Sequence, residues 1–282
     1  MTRSGHIALA GAPNVGKSSL LNALVGSHLA IVSAKAQSTR LPVTGLRTEA
    51  DTQFIFHDLP GLLDPRYPLQ ERMKAAALQV LERVHVILHL HPADLGEAPV
   101  FWPLTGLQKS SPVPVLTVYT KSDLAPGTEA GGIPVSATTG AGLDELLDQV
   151  RPLLPEGPFE FDPEDIGTQP LRFFATEYIR EAAFDLLADE LPYAVAVEVE
   201  EFREHTTPIY IRVTLLVERE SQKGIVIGRG GQMLKAIGAQ ARGRLETLIG
   251  TPVYLDCWVK VLPGWRKSAV ALDRLGFPES RD

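Results

Sequence analysis

The sequence predicts a two-part α/β protein. The first part is a mostly parallel sheet covered by helices on both faces, and the second is a smaller α+β module. Three observations carry this. Largely apolar runs at residues 6–10, 84–88 and 113–119 alternate with stretches of helical periodicity, the pattern of strands buried on both faces. Gly11-Ala12-Pro13-Asn14-Val15-Gly16-Lys17-Ser18 stands between the first run and a helix, with the spacing G-x-x-x-x-G-K-[ST]. After residue 170 the rhythm becomes helix, two alternating strands, two helices and a strand.

Taken in order, residues 6–10 form the first strand, and residues 18–25 a helix with Leu20, Leu21 and Leu24 on one face. Residues 29–47 are polar and irregular and read as an exposed, mobile loop. Residues 43–49 and 52–57 pair as strands around Ala50-Asp51, and Asp58-Leu59-Pro60-Gly61 ends the second. A helix follows at 69–83, with Met73, Ala76, Ala77, Val80 and Leu81 at helical spacing. Strands at 84–88, 113–119 and 133–136 and a helix at 142–154 complete the first domain, residues 1–155. Residues 156–170 are Pro-rich, with five acids and no base, and read as a linker. The second domain, residues 171–282, opens on a helix at 171–191. Strands at 194–202 and 209–217, a Gly-rich turn at 224–231, a helix at 232–249, a strand at 253–261 and a short helix at 265–275 follow. There are no internal repeats.

Composition is that of a globular protein: 282 residues, 44% hydrophobic and 22% charged. The single cysteine, Cys257, rules out an internal disulfide framework and fits a reducing cytoplasm; it reads as a half-buried structural thiol. The chain enters its first strand at once, leaving no room for a signal peptide, and no apolar run approaches the ~18 residues of a membrane span. Net charge is −7, yet residues 219–267 hold 9 basic and 3 acidic side chains, a local +6. That points to a polyanion partner, against the plainer alternative of a solvated helix face. His85, His89 and His91 lack companion ligands and read as structural. Trp258 and Trp265 read as core.

The eight-residue Gly-rich turn is a phosphate loop. Its backbone N–H groups and the helix N-terminus face phosphate oxygens, Lys17 reaches the β- and γ-phosphates, and Ser18 ligates Mg²⁺. Asp58-x-Pro60-Gly61 ends a strand 40 residues after Ser18. There a carboxylate can hold Mg²⁺ and a glycine N–H can meet a γ-phosphate. Thr39, in the loop between, can close over both and release on hydrolysis. Thr120-Lys121-Ser122-Asp123 ends a later strand. A carboxylate at Asp123 accepts from both guanine N1–H and N2–H₂, a donor pair that adenine lacks, while the Lys121 stem lies over the base. Ser136-Ala137-Thr138 ends the last strand, where backbone N–H groups can meet guanine O6. The motifs after the phosphate loop are each weak alone; in this order, all at strand C-terminal ends, they converge on one ligand rim. Gly228-Arg229-Gly230-Gly231 fits a G-x-x-G loop that lets RNA backbone approach a helix N-terminus. Lys223, Arg229, Lys235, Arg242 and Arg244 are its phosphate-contact candidates.

The residues 11–18, 33–40 (S-A-K-A-Q-S-T-R), 58–61, 190–202 (E-L-P-Y-A-V-A-V-E-V-E-E-F), 226–231 (V-I-G-R-G-G) and 258–265 (W-V-K-V-L-P-G-W) together resemble the Era family. These are bacterial GTPases of the translation-factor-related class with a C-terminal KH domain. The resemblance covers nearly the whole chain. It implies a P-loop GTPase domain followed by a type II KH domain, with GTP or GDP and Mg²⁺ as ligands. It places Gly11 to Ser18 and the adjoining Ser19 on phosphates and Thr39 in the first switch. Asp58 and Gly61 fall in the second switch, Thr120, Lys121 and Asp123 at the base, and Ser136, Ala137 and Thr138 around O6. Partners implied are the 3′ end of small-subunit rRNA and the 30S subunit, for a monomeric cytoplasmic protein with a peripheral contact at the inner membrane. Two positions depart from the pattern. Thr120 stands where the family usually has Asn, which predicts a weaker tie to the phosphate loop and lower nucleotide affinity. Residues 123–136 are short, which predicts a truncated helix. Leu62 stands where Ras-like GTPases carry a water-orienting Gln. Members lacking that Gln include some that bind K⁺ through an Asn at the position of Asn14, so Asn14 is a candidate K⁺ ligand against the plainer role of loop closure. Lys17, Thr39, Gly61 and Asn14 are thus the catalytic candidates, with slow intrinsic turnover. The competing function is an RNA-binding adaptor tuned by nucleotide, with negligible GTP turnover.

Overall fold

The computed structural model describes residues 1–33, 35–106, 112–125 and 131–279. Contacts divide it into two compact units: Met1–Arg66 with Glu71–Thr168, and Gln169–Glu279 with Tyr67–Gln70.

The first unit runs β1 (Arg3–Ala10), α1 (Lys17–Val25), β2 (Val43–Glu49), β3 (Thr52–Asp58), α2 (Pro68–Leu81, in this unit from Glu71), β4 (Val86–Pro92), α3 (Phe101–Thr105), β5 (Val115–Thr120), β6 (Ile133–Pro134) and α4 (Leu143–Val150). The sheet order is β2-β3-β1-β4-β5-β6, with β2 antiparallel to β3 and every other pair parallel. In the central strand β1, Ile7, Ala8, Leu9 and Ala10 are fully buried, as strands covered on both faces require. α1 starts after Gly16 and stops at Gly26, both left-handed; the Gly26 N–H donates to the Asn22 carbonyl and closes the last turn.

Differences from the sequence expectation have local causes. The strand expected at 84–88 is Val86–Pro92, because its ladder with β5 runs on from Ile87 to Pro92; His89 within it is buried against the Phe101 ring, at 5.2 Å between centroids. Burial holds the His89 imidazole neutral, its pKa pushed down to about 4. The helix expected to 154 passes at Val150 into a 3-10 turn at Arg151–Leu153, where Pro152 cannot donate. α3 lies where no element was expected. The loop after α1 is not simply exposed: Leu29, Ala30 and Ile31 are buried, as are Thr39 and Arg40. The Asn22 amide staples its start, accepting from the Leu29 and Ala30 N–H groups (both 2.9 Å) and donating to the Ala30 carbonyl (2.8 Å). Between Asp123 and Ser136, a 3-10 turn spans Ser122–Leu124; residues 126–130, on which the truncated helix would fall, lie outside the described residues.

The second unit runs α5 (Leu171–Leu186), α6 (Leu191–Ala194), β7 (Ala196–Arg203), β8 (Ile209–Val217), α7 (Glu220–Ile227), α8 (Gln232–Ile249), β9 (Val253–Val261) and α9 (Ala269–Arg274). In the sheet β7-β8-β9 the first pair is antiparallel and the second parallel. The α-β-β-α-α-β order is the expected one, but α7 takes in residues 224–227 of the stretch expected as a Gly-rich turn, and the short α6 is an addition. The long first helix breaks early because Leu187 is extended and Asp189 takes φ 50°. Trp265 is fully buried, its indole N–H donating to the Ala194 carbonyl at 2.9 Å. Trp258 corrects the reading as core: it is 56% exposed. The alternation along β9 turns Val253 and Val259 inward and Tyr254 and Trp258 outward. Cys257 is half-buried and its thiol is pushed up to about 12 by burial, an inert thiol.

Candidate nucleotide and RNA sites

The phosphate loop bends through three left-handed residues, Gly11 (φ 151°), Asn14 (φ 62°) and Gly16 (φ 96°). At Gly11 a Cβ would sit 2.5 Å from the Leu90 carbonyl oxygen, so the loop can lie this close to β4 only without a side chain. The loop borders a cavity of about 400 Å³ together with Ser33, Thr39 and Gly61. Lys17 is buried there, its ammonium donating to the Gly11 and Ala12 carbonyls at 3.3 and 2.8 Å. Burial pulls the Lys17 pKa from its ordinary 10.5 to about 8, against the opposing pull of Asp58.

That shift has a measurable sign. Phosphate oxygens held in the loop would stabilise the ammonium and raise its pKa. Above about pH 8 the free site is therefore largely neutral, while a filled site would stay charged to higher pH. Nucleotide binding should take up most of a proton at about pH 8.5, and affinity should fall as pH rises through this window. Calorimetry in buffers of different protonation enthalpy checks it; Lys17→Met should remove the uptake.

Three segments bring oxygens together beside Lys17. The Ser18 hydroxyl, at the start of α1, donates to Asp58 Oδ2 at 2.6 Å. The Thr39 hydroxyl donates to the same oxygen at 3.0 Å and lies 3.0 Å from Ser18 Oγ. Asp58, the last residue of β3, is fully buried. Two hydroxyls on one buried carboxylate form a hard-oxygen set that suits Mg²⁺. Past β3 the chain presses on the loop: a Cβ on Gly61 would lie 2.8 Å from Pro13 N, and the Leu62 N–H donates to the Gly11 carbonyl at 3.0 Å. The Leu62 side chain is buried among Ala8, Leu59 and Leu81. It packs; it does not direct water.

A second cavity of about 280 Å³ adjoins the first through Gly16, Ser19 and Lys121, and Asp123, Ala137 and Thr138 line its far side. Thr120 is buried beneath it. Its hydroxyl donates to the Val15 carbonyl at 2.5 Å and lies 3.3 Å from the His91 carbonyl. The tie between base pocket and phosphate loop, expected to be weak without Asn, is thus made by a hydroxyl. Thr120→Val leaves the buried Val15 carbonyl without that donor, a loss of about 1–3 kcal/mol. It should raise the Kd for GDP by about tenfold in a fluorescence titration, and Thr120→Ser should restore it. Lys121 adds a second tie, its ammonium donating to the Asn14 carbonyl at 3.1 Å. Ser136 is fully buried and shapes the last turn: its N–H donates to the Ala141 carbonyl (2.9 Å) and its hydroxyl accepts from the Thr139 N–H (3.1 Å). The cavity wall at this turn is Ala137 and Thr138.

In the second unit, Gly228 (φ 73°), Gly230 (φ 60°) and Gly231 (φ 79°) carry the chain from α7 to α8. A Cβ on Gly228 would meet Met233 Cβ at 2.7 Å, whereas Gly230 and Gly231 have open space above them. α8 begins with no side-chain cap, so its N-terminus faces the loop. Arg229, Lys235 and Arg242 are exposed, and the last two, seven residues apart, share a helix face. Lys223 lies half-buried on α7, 3.9 Å from Glu220. Arg244 is placed differently: it pairs with the buried Glu181 at 2.9 Å and with Asp185 at 3.1 Å, both on α5. Ile225, which the motif reading passed over, is 57% exposed beside the loop. Asn22 was passed over too; a lone Asn on the polar side of a helix carries no signal that it staples a loop.

Residues 6–121 match the family model of a 50S ribosome-binding GTPase, and residues 190–266 that of the KH domain. GTPase Era of Carboxydothermus hydrogenoformans is 40% identical over 293 aligned positions, spanning 98% of each chain. The chain belongs to the Era family of GTPases. Two solved Era structures, each 36% identical with a TM-score of 0.90, cover 99% of this chain and 100% of their own. One is Aquifex aeolicus Era bound to GDP·AlF4⁻; the other is Era with MgGDPNP and nucleotides 1506–1542 of 16S ribosomal RNA. In this Era-family GTPase the Gly11–Ser18 loop, Asp58-Gly61, Thr120-Asp123 and Ser136-Thr138 end or follow β1, β3, β5 and β6, and Thr39 joins them at the same rim. Among the described residues no helix is long and apolar enough to cross a membrane, and no group of three or more His, Cys, Asp or Glu residues forms a metal site.

Proposed function

We propose that this GTPase is a Mg²⁺-dependent switch whose nucleotide state governs binding of its KH module to the 3′ region of small-subunit rRNA during 30S assembly. The observation that carries it is the convergence of Ser18, Thr39 and Asp58 beside the buried Lys17. It joins the loop that would sense a γ-phosphate to the site that would hold the cation. Ser18, Thr39 and Asp58 would hold Mg²⁺, which when bound neutralises charge on the phosphate oxygens. Lys17 binds β- and γ-phosphates, Gly61 brings its N–H to the γ-phosphate, and Asp123 takes the guanine edge. Asn14, left-handed at the cavity rim, is the proposed K⁺ ligand, supplying the charge compensation that an arginine finger supplies elsewhere. With Leu62 packed inward, intrinsic turnover is slow.

The RNA surface comprises Gly228 to Gly231 with Arg229, Lys223, Lys235 and Arg242; Arg244 is left to its ion pairs. The rRNA-bound Era relative supports this partner. The complete set of phosphate, cation and base groups favours a GTPase over an adaptor that never turns over. We place the protein in the cytoplasm as a monomer, with the peripheral membrane contact that the resemblance implies.

Single-turnover GTP hydrolysis in K⁺ or Na⁺, with and without an oligonucleotide of the 16S 3′ end, tests the reading. Hydrolysis should need Mg²⁺, run faster in K⁺ and change on adding RNA, and Asn14→Ala should erase the K⁺ advantage. No hydrolysis under any of these conditions would sink it.

A further inference from the structure

We propose that Gln53 is a clasp that fixes residues 156–168 to the first unit, so that they pass the nucleotide state to the chain entering the KH module. The proposal rests on the switch reading above and adds the route. Gln53 is a positioning residue outside the nucleotide site.

The Pro-rich acidic stretch expected as a linker groups with the first unit as far as Thr168. Its docking uses backbone groups. Gln53, in β3, is fully buried, where an amide is tolerated only if its polar atoms are matched. Its Oε1 accepts from the Glu160 and Phe161 N–H groups at 2.8 and 3.0 Å, and its Nε2 donates to the Phe161 carbonyl at 2.9 Å. Nε2 also reaches the Thr48 hydroxyl on β2, at 3.1 Å. One side chain thus holds three backbone groups more than 100 positions away.

Contacts on either side give the strap a direction. It starts at the foot of β1, where Arg3 donates to the Leu154 carbonyl (2.6 Å) and the Thr2 hydroxyl to the Gly157 carbonyl (2.8 Å). His6 meets Glu160 at 3.0 Å. After the Gln53 clasp the strap reaches the edge strand β2, where the Leu46 N–H donates to the Ile166 carbonyl at 2.9 Å and Gly167 bridges Gly45. The chain leaves the first unit one residue later.

That exit lies close to residues of the nucleotide site. Gly45 stands six positions after Thr39, whose hydroxyl sits on Ser18 and Asp58. It is pressed on α1, the helix that Lys17 begins: a Cβ there would lie 2.7 Å from Val25 and 2.8 Å from Leu21. Asp58 ends the strand that carries Gln53. A shift of Thr39, of α1 or of the end of β3 on loss of the γ-phosphate therefore reaches Gly45 and, while Gln53 holds the strap in register, Gly167. Without the clasp the exit is a tether and the two activities uncouple.

The test measures the Kd of full-length protein for the 16S 3′-end oligonucleotide in two states, with GDP and with a non-hydrolysable GTP analogue. The ratio should be about fivefold or more in the wild type. In Gln53→Leu it should fall to within about twofold of one, with RNA-free GTP hydrolysis unchanged and faster hydrogen exchange across 156–168. A Gly-Ser-Gly insertion between Thr168 and Gln169 leaves the clasp intact and should flatten the ratio as well, which covers a Gln53 variant that fails to fold. A loosened strap with the ratio intact, an insertion that changes nothing, or a wild-type ratio of one overturns the proposal while RNA binding stands. A wild-type chain that binds no RNA overturns the functional reading with it.

Discussion

Asp123→Ala should remove the preference for guanine. The carboxylate is exposed at the mouth of the second cavity, between Lys121 and the Ala137-Thr138 turn. Two hydrogen bonds to a charged acceptor, from guanine N1–H and N2–H₂, are worth about 3–6 kcal/mol together. GTP and GDP should therefore bind at least about a hundredfold more weakly. ATP, which gains nothing from the carboxylate, should lose little, so the ratio of the two affinities collapses. The packing that shapes the pocket does not depend on Asp123: Thr120 stays on Val15 and Lys121 on Asn14. Competition between GDP and ADP for a fluorescent nucleotide reads the ratio directly. Equal losses for both nucleotides would mean that Asp123 only holds the turn.

The pocket was legible in the sequence because its chemistry constrains both residue type and position. A phosphate loop needs glycines, Lys17 and Ser18 at fixed spacing, and an open parallel sheet delivers Asp58 and Asp123 to the rim where that loop lies. What escaped was set by partners far along the chain. Alternation along β9 shows that two faces exist, but not which one helices cover, so Trp258 was assigned inward. Counting charges near the G-x-x-G loop cannot see that Arg244 meets Glu181 across from α5. The strap was least legible. Prolines and acids report solvated side chains, whereas the docking runs through backbone groups of residues 160–167 and an amide on β3. Thr120 was read through the Asn it replaces; residue type alone does not show that its hydroxyl reaches the Val15 carbonyl of the same loop.

Placing acids at the tip of the G-x-x-G loop should abolish RNA binding without disturbing the module. Gly230 takes φ 60° with nothing within 4 Å of a built Cβ, and aspartate is among the few residues that accept this conformation. Arg229 beside it is exposed. The double variant Arg229→Asp with Gly230→Asp replaces one positive charge with two negative ones, where phosphates would meet the α8 N-terminus. Affinity for the 16S 3′-end oligonucleotide should fall at least about a hundredfold at physiological salt. The milder Arg229→Ala should lower the slope of log affinity against log salt by about 1, the signature of one lost phosphate contact. Gly228 is the contrasting position. Its missing side chain is what lets Met233 approach, so Gly228→Ala should lower the melting temperature of the module as well as its RNA affinity. If the acidic double variant binds RNA as the wild type does, this loop is a turn between two helices and the RNA lies elsewhere.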